Sequence, residues 1–258
     1  MIVVTEPDNS LLIVRQPDHA VSSARMAQAW CRPDLIEPDM WPRFIEAVRR
    51  HDDGWAETEK LPPLDEQGRP LDFKTIHTTQ HVRIWRRAVD LAARENAYVG
   101  LLVAQHARWL YTHVGRSGIE DKATAMRFTE ELALRIDQTI RTLDGGTTSE
   151  RDAVRPHHLS AARRLLTFFD HFSLALIGAL PMLTRTEHPL AFGPRIEKLS
   201  ITRTDANVQV TPWPFESGPW QLDVQATRLD QQQFTNPQKL ALRIRQPKDK
   251  LVWTLNPG

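Results

Sequence analysis

Before Pro181 the apolar residues of this chain recur at helical spacing; after it they alternate. Helices come first and strands later in the same chain, which is the order expected of an α+β fold. The clearest helical stripe is Phe128, Leu132, Ile136 and Ile140 at steps of four, with Leu143 three further on, and it predicts a helix over Glu120–Leu143. Lys74–Arg94 and Ala97–Val114 read as one broken helix or two. His158–Leu180, with "LSAARRLLTFFDHFSLALIGAL", is apolar on most sides, so it belongs at the centre of the molecule. Nearer the N-terminus, Val21, Ala24, Met26, Ala27 and Trp30 mark a helix with Asp18 as its N-cap. Phe44, Ile45 and Val48 mark a second, Pro42–His51, which Gly54 helps to stop. The runs "IEKLSITRT", "ANVQVTPW", "WQLDVQATRL", "KLALRIRQP" and "LVWTLN" read as strands. Ile2–Thr5 and Leu11–Arg15 flank the turn residues of "EPDNS" and read as a hairpin that can pair with them. The expected organisation is an N-terminal β-hairpin (1–15), a mainly helical core (16–185) and a mostly antiparallel C-terminal β region (190–258).

Several classes of function are disfavoured at once. Lys and Arg number 33 against 32 for Asp and Glu, so no overall charge recruits nucleic acid or an anionic membrane. The single cysteine, Cys31, allows no intramolecular disulfide and no Cys-rich zinc site, and a reducing cytoplasm is the simplest home. "MIVVTEPDNS" lacks the basic and apolar regions of a signal peptide, and "LALIGALPML" is too short to span a bilayer. There is no Gly-rich phosphate loop, no Gly-x-Ser-x-Gly and no His-Glu-x-x-His. No glutamate is followed three residues later by histidine, which excludes the ligand pairs of a ferritin-like di-iron bundle.

What remains is histidine and aspartate on separate helices. Asp170, in "LLTFFDHFSL", is costly to bury unless it is paired or holds a metal. It is either the partner of Arg163 or Arg164, or a metal ligand; His19 in "QPDHA" and the His51–Asp52 pair in "RRHDDGWAET" add weight to the second reading. His106, in "LVAQHARWLY", is either a satisfied core histidine or a fifth member of that set. His77 and His81, one turn apart, read as a polar helix face, and His157–His158 as helix capping, with His158 within possible reach of a pocket near Asp170. His113, His171 and His188 have no supporting pattern. Trp213, Phe215, Trp220 and Trp253 are either an aromatic binding surface or, more simply, the packing of a small β core. Imidazole suits Zn and Fe and carboxylate suits Mg and Mn, so the mixed set leaves the metal open.

The combination of "QPDHA", "HDDGW", a helix with "QHARWLY" and a late helix with "FFDHFSLAL" resembles a bacterial family described as a domain of unknown function, over most of residues 1–258. More distantly, the order of residues resembles HD-domain phosphohydrolases, which are helical and bind a divalent metal through a histidine, a His-Asp pair and a final aspartate. That resemblance implies an HD-domain-like helical core, with His19, His51, Asp52 and Asp170 as ligands of a divalent Mn, Fe, Zn or Mg ion. His106 would be a further ligand, a phosphate contact or a proton donor. The resemblance departs in two places: His19 sits at a helix start just behind a hairpin, and the stretch between Asp52 and Asp170 is long and holds a Pro-rich loop. The implied function is metal-dependent hydrolysis of a small phosphorylated molecule, with Asp52 and His106 catalytic and Arg15, Arg25, Arg108 or His158 meeting the substrate. The rival readings are a non-catalytic ligand-binding or regulatory module and a His/Asp-ligated di-iron oxygenase.

Overall fold

The computed structural model describes residues 1–32, 34, 36–114, 122–182, 185–187, 198–245 and 247–258. The fold is α+β. Strands β1 (Ile2–Thr5) and β2 (Leu11–Val14) form the expected hairpin. Helices follow: α1 (Gln16–Ala29), α2 (Trp41–Arg50), the single turn α3 (Trp55–Thr58), α4 (Thr78–Glu95), α5 (Ala97–Trp109), α6 (Lys122–Asp144), α7 (Thr148–Ala153) and α8 (Pro156–Ile177). Then come β3 (Arg185–Glu187), β4 (Lys198–Thr204), β5 (Asn207–Thr211), β6 (Trp220–Leu229), α9 (Pro237–Ile244) and β7 (Asp249–Pro257). The described strands make one seven-stranded sheet in the order β1-β2-β6-β7-β5-β4-β3.

Every neighbouring pair is antiparallel except β5 and β7, so the sheet is mixed. Its inward face carries Leu199, Ile201, Val208, Val210, Leu222, Val224, Trp253 and Leu255, and these join the helical residues in one continuous core. β2 is buried at all four positions. Leu12 and Val14 face that core, whereas Leu11 and Ile13 pack with Leu240 and Ile244 of α9 on the other side. This double covering is why "LLIV" is a continuous apolar run rather than an alternating one.

α9 corrects the sequence reading of "KLALRIRQP" as a strand. Asn236 caps it by accepting from Lys239 N, Pro237 sits in the first turn, and Leu240 and Ile244 are its buried stripe. Those two positions are four apart, so they fit period 3.6 as well as period two. α1 starts at Gln16, before the expected cap; Asp18 lies inside its first turn. α4 and α5 are separate because the Asn96 side chain accepts from Tyr98 N and Val99 N and starts a new helix. Gly178, at φ 90°, ends α8. Gly54 does something different from stopping α2: its φ is −60°, and a Cβ there would stand 2.1 Å from Ile84 O and 2.8 Å from Ala88 N. Its lack of a side chain lets the α2–α3 corner lie directly on α4. Glu120, His188, Ile196 and Glu197 lie outside the described residues. Among the described residues, no helix is long and apolar enough to cross a membrane.

The aromatic residues of the β region serve packing. Phe215 stacks edge-on against Trp30 of the helical layer at 5.3 Å and against Trp213 and Trp220 at 4.9 and 5.2 Å.

Candidate metal centre

Four helical elements bring His19, His51, Asp52, His106 and Asp170 to one point. His19 comes from the first turn of α1, His51 and Asp52 from the end of α2, His106 from α5, and Asp170 from the middle of α8. All five are buried, His19 and His106 completely. His19 Nε2 lies 3.1 Å from Asp170 Oδ1 and 3.8 Å from Asp52 Oδ2. His51 Nε2 lies 3.4 Å from Asp52 Oδ2 and 3.5 Å from Asp170 Oδ1, and His106 Nε2 lies 3.3 Å from Asp170 Oδ2. Two overlapping groups, His19–His51–Asp52 and His51–His106–Asp170, each offer ligand atoms within 4.8 Å of one another and could hold a metal ion. Donors bound at about 2.0–2.2 Å to one ion stand roughly 3.0–3.5 Å from each other; four of the five spacings here are of that size, and His19 to Asp52 at 3.8 Å is longer.

The back of each imidazole is held as well. His51 Nδ1 is 2.7 Å from Val48 O, so it donates there and its Nε2 is the atom left facing inward. His19 Nδ1 is 2.8 Å from Ser173 Oγ, and His106 Nδ1 is 3.2 Å from Thr167 Oγ1. Thr167, Asp170 and Ser173 are spaced by three along α8 and share a face. Metal-binding histidines characteristically have their second nitrogen fixed in this way. With Nδ1 carrying the proton, a neutral imidazole turns an Nε2 lone pair toward a carboxylate oxygen. The two repel unless a proton or a cation lies between them. His51 Nε2 and His106 Nε2 are buried without an aligned hydrogen bond.

The protonation balance follows from this crowding. Burial lowers the His51 imidazole, but Asp52 and Asp170 outweigh it and raise its pKa to about 9. Burial lowers His106, only partly opposed by Asp170. Burial raises Asp52, against the pull of His51 and His19. Burial also acts to raise Asp170, but the three imidazoles around it hold its carboxyl well below the usual range. The centre stores at least one proton that a metal ion would displace.

His51, Asp52, His106 and Asp170 form the floor of a cavity of about 800 Å³; His19 sits behind them. Its walls are Trp55, Phe73, Trp85, Trp109, Leu110, Tyr111, Leu174 and Leu180, with Gln16, Lys74, His81, Thr167 and His171 between them. A π-helical turn, Leu110–Val114, continues α5 and carries Tyr111. His81 Nδ1 lies 2.6 Å from the Tyr111 hydroxyl, and Trp85 Nε1 donates to His81 Nε2 at 3.2 Å.

A family model described as a protein of unknown function, DUF3891, matches residues 1–231. The chain belongs to the DUF3891 family. No curated protein and no solved structure matches it. For this DUF3891 chain, neither comparison supports the HD-domain likeness, which stays an expectation from the order of the His and Asp residues in the sequence.

The expected substrate contacts stand elsewhere. Arg15 Nε is 3.5 Å from buried Glu59. Arg25 pairs with Asp223 and donates to Gln221 O, which ties α1 to β6. Arg108 is exposed and is not in the cavity lining. His158, at the start of α8, is about 18 Å along the helix from Asp170, and its Nδ1 meets Asp152 O at 2.7 Å. Asp170 is answered by imidazoles; Arg163 instead lies over the Trp109 ring. Asp53 is half-buried and pairs with Arg50 at 3.2 Å, and Trp55 is a buried wall of the cavity. His77 is exposed, but His81 is buried in the lining, a role the polar-face reading missed. The polar residues at three-residue spacing on apolar α8 were the available signal for Thr167 and Ser173. Nothing local marked Tyr111 or Lys74.

Proposed function

We propose that this protein is a metal-dependent hydrolase of the HD-like type that acts on a phosphate ester. The observation that carries the reading is the inward convergence of three Nε2 atoms and two carboxylates at 3.1–3.8 Å, with each Nδ1 anchored behind. His19, His51, Asp52 and Asp170 would hold the ion, and His106 would contribute a fifth ligand or meet the phosphate. The chemistry that a divalent Mn, Fe, Zn or Mg ion would supply there is a lowered pKa for water and polarisation of a phosphoryl oxygen. The Asp52 oxygen not given to the ion would orient the attacking water and take its proton. The water oxygen would bond to phosphorus as the ester P–O bond breaks, and the leaving oxygen would take the proton that Asp52 received from the water.

The test is metal analysis of purified protein, followed by a phosphomonoester screen on the metal-loaded form. Asp170→Asn keeps the shape and removes the charge, so metal affinity should fall at least about 100-fold with the helical content preserved. Full metal content in that variant ends the reading. A loaded protein that hydrolyses nothing leaves the non-catalytic binding module in the lead. Three imidazoles and two carboxylates beside an aromatic cavity also suit iron and dioxygen chemistry on an apolar substrate. Iron with a visible absorption band, and oxygen uptake in place of phosphate release, would select that reading.

A further inference from the structure

We infer that the cavity takes a planar, largely apolar molecule whose single reacting group sits on the His/Asp floor. The inference rests on the hydrolase reading for the identity of that group, but not for the apolar body. The walls are the argument. Phe73, Trp109, Leu110, Tyr111 and Leu180 are only half-buried although they line a concavity, so apolar surface faces open space there. Half-buried apolar surface in a concavity is what a flat apolar body would cover, even though Trp109 already stacks on His113 and carries Arg163 over its ring. A cavity of about 800 Å³ lies in the range of pockets that enclose a drug-sized molecule.

Charge points the same way. Among the described residues, Lys74 is the only Lys or Arg in the lining, and its Nζ donates to Ala179 O and lies 3.7 Å from Asp72. Recognition of a di- or triphosphate calls on several cations or an Arg fork. With Asp52 and Asp170 already in the floor, a polyphosphate would add charge where there is little to meet it. One phosphate, held by an ion on the floor, needs no second cationic site. The class that fits is the monoester of an aromatic or otherwise flat apolar alcohol.

The experiment is calorimetry on the metal-loaded protein with three probes: 2-naphthyl phosphonate, AMP and inorganic phosphate. The naphthyl compound should bind about ten- to a hundred-fold tighter than inorganic phosphate, because it buries a two-ring surface. AMP should gain less. Trp109→Ala should erase most of the naphthyl advantage while metal content stays constant. In parallel, 2-naphthol is titrated into metal-free protein by tryptophan fluorescence. If no metal binds but naphthol does, and Trp109→Ala weakens it, the apolar site stands and the hydrolase reading falls. If metal and phosphate bind but the naphthyl group adds nothing, or AMP binds tighter than the naphthyl compound, the inference is overturned and the hydrolase reading survives.

Discussion

Ser173 never faces the cavity, yet it fixes the histidine that comes earliest in the chain. Its hydroxyl, 2.8 Å from His19 Nδ1, decides which nitrogen of that ring points inward. Ser173→Ala leaves the inward donors untouched, so the expected loss is about 10–100-fold in metal affinity with little change in fold, read by competition with a chelator. Unchanged affinity would mean that packing alone orients the ring. His51 supplies the pH dependence. Its folded pKa of about 9 lies above its ordinary 6.5, so in metal-free protein its pairing with Asp52 and Asp170 stabilises fully below pH 6.5 and is lost as pH rises through 9. Thermal melts of the metal-free protein should therefore fall between those two values. Metal binding needs the neutral ring, so uptake below pH 9 releases a proton, and affinity rises with pH by at most about tenfold per unit. Calorimetry in buffers of different ionisation enthalpy counts that proton; a count of zero would contradict the assignment of His51.

At the scale of elements, the corner between α2 and α3 sets the position of His51 and Asp52, and Gly54 is what lets that corner touch α4. A methyl group there meets backbone rather than a flexible side chain. Gly54→Ala should cost about 1–3 kcal/mol in denaturant unfolding and weaken metal binding as well, since Asp52 lies two residues away. A stable variant with intact metal affinity would show that the corner can shift freely. The elements also show what could be read from the chain directly. The long helices and four of the late strands were legible because burial imposes period on sequence, as in Phe128–Leu132–Ile136 and Leu222–Val224. α9 was not, since the eight residues of "PQKLALRI" satisfy both periods and only the Asn236–Pro237 cap distinguishes them. The five centre residues were legible by type, because an aspartate in an apolar helix demands an explanation. The arginines were misplaced for the converse reason: a surface cation such as Arg25 pairs with whatever acid the tertiary fold brings near, and sequence spacing does not record that Asp223 will be it.

For the whole molecule, the helices hold the centre and the sheet holds the helices. α1 is packed between α8 and β6, so His19 is backed by both layers. The family match ends at residue 231, but β7, at 249–257, pairs with β6 on one side and β5 on the other. Ending the chain after residue 231 removes that central strand and detaches β5, β4 and β3 from the rest of the sheet. Such a protein should lose cooperative unfolding and expose the apolar inward face, measured by calorimetry and dye binding; a sharp transition near that of the full chain would contradict this. The position of β7 also bears on synthesis. A nascent chain has all five inward-facing His and Asp residues outside the ribosome once Asp170 has emerged, while the strand that closes the sheet follows some eighty residues later. Helices can gather around the polar centre during that interval, with half the sheet still waiting for its middle.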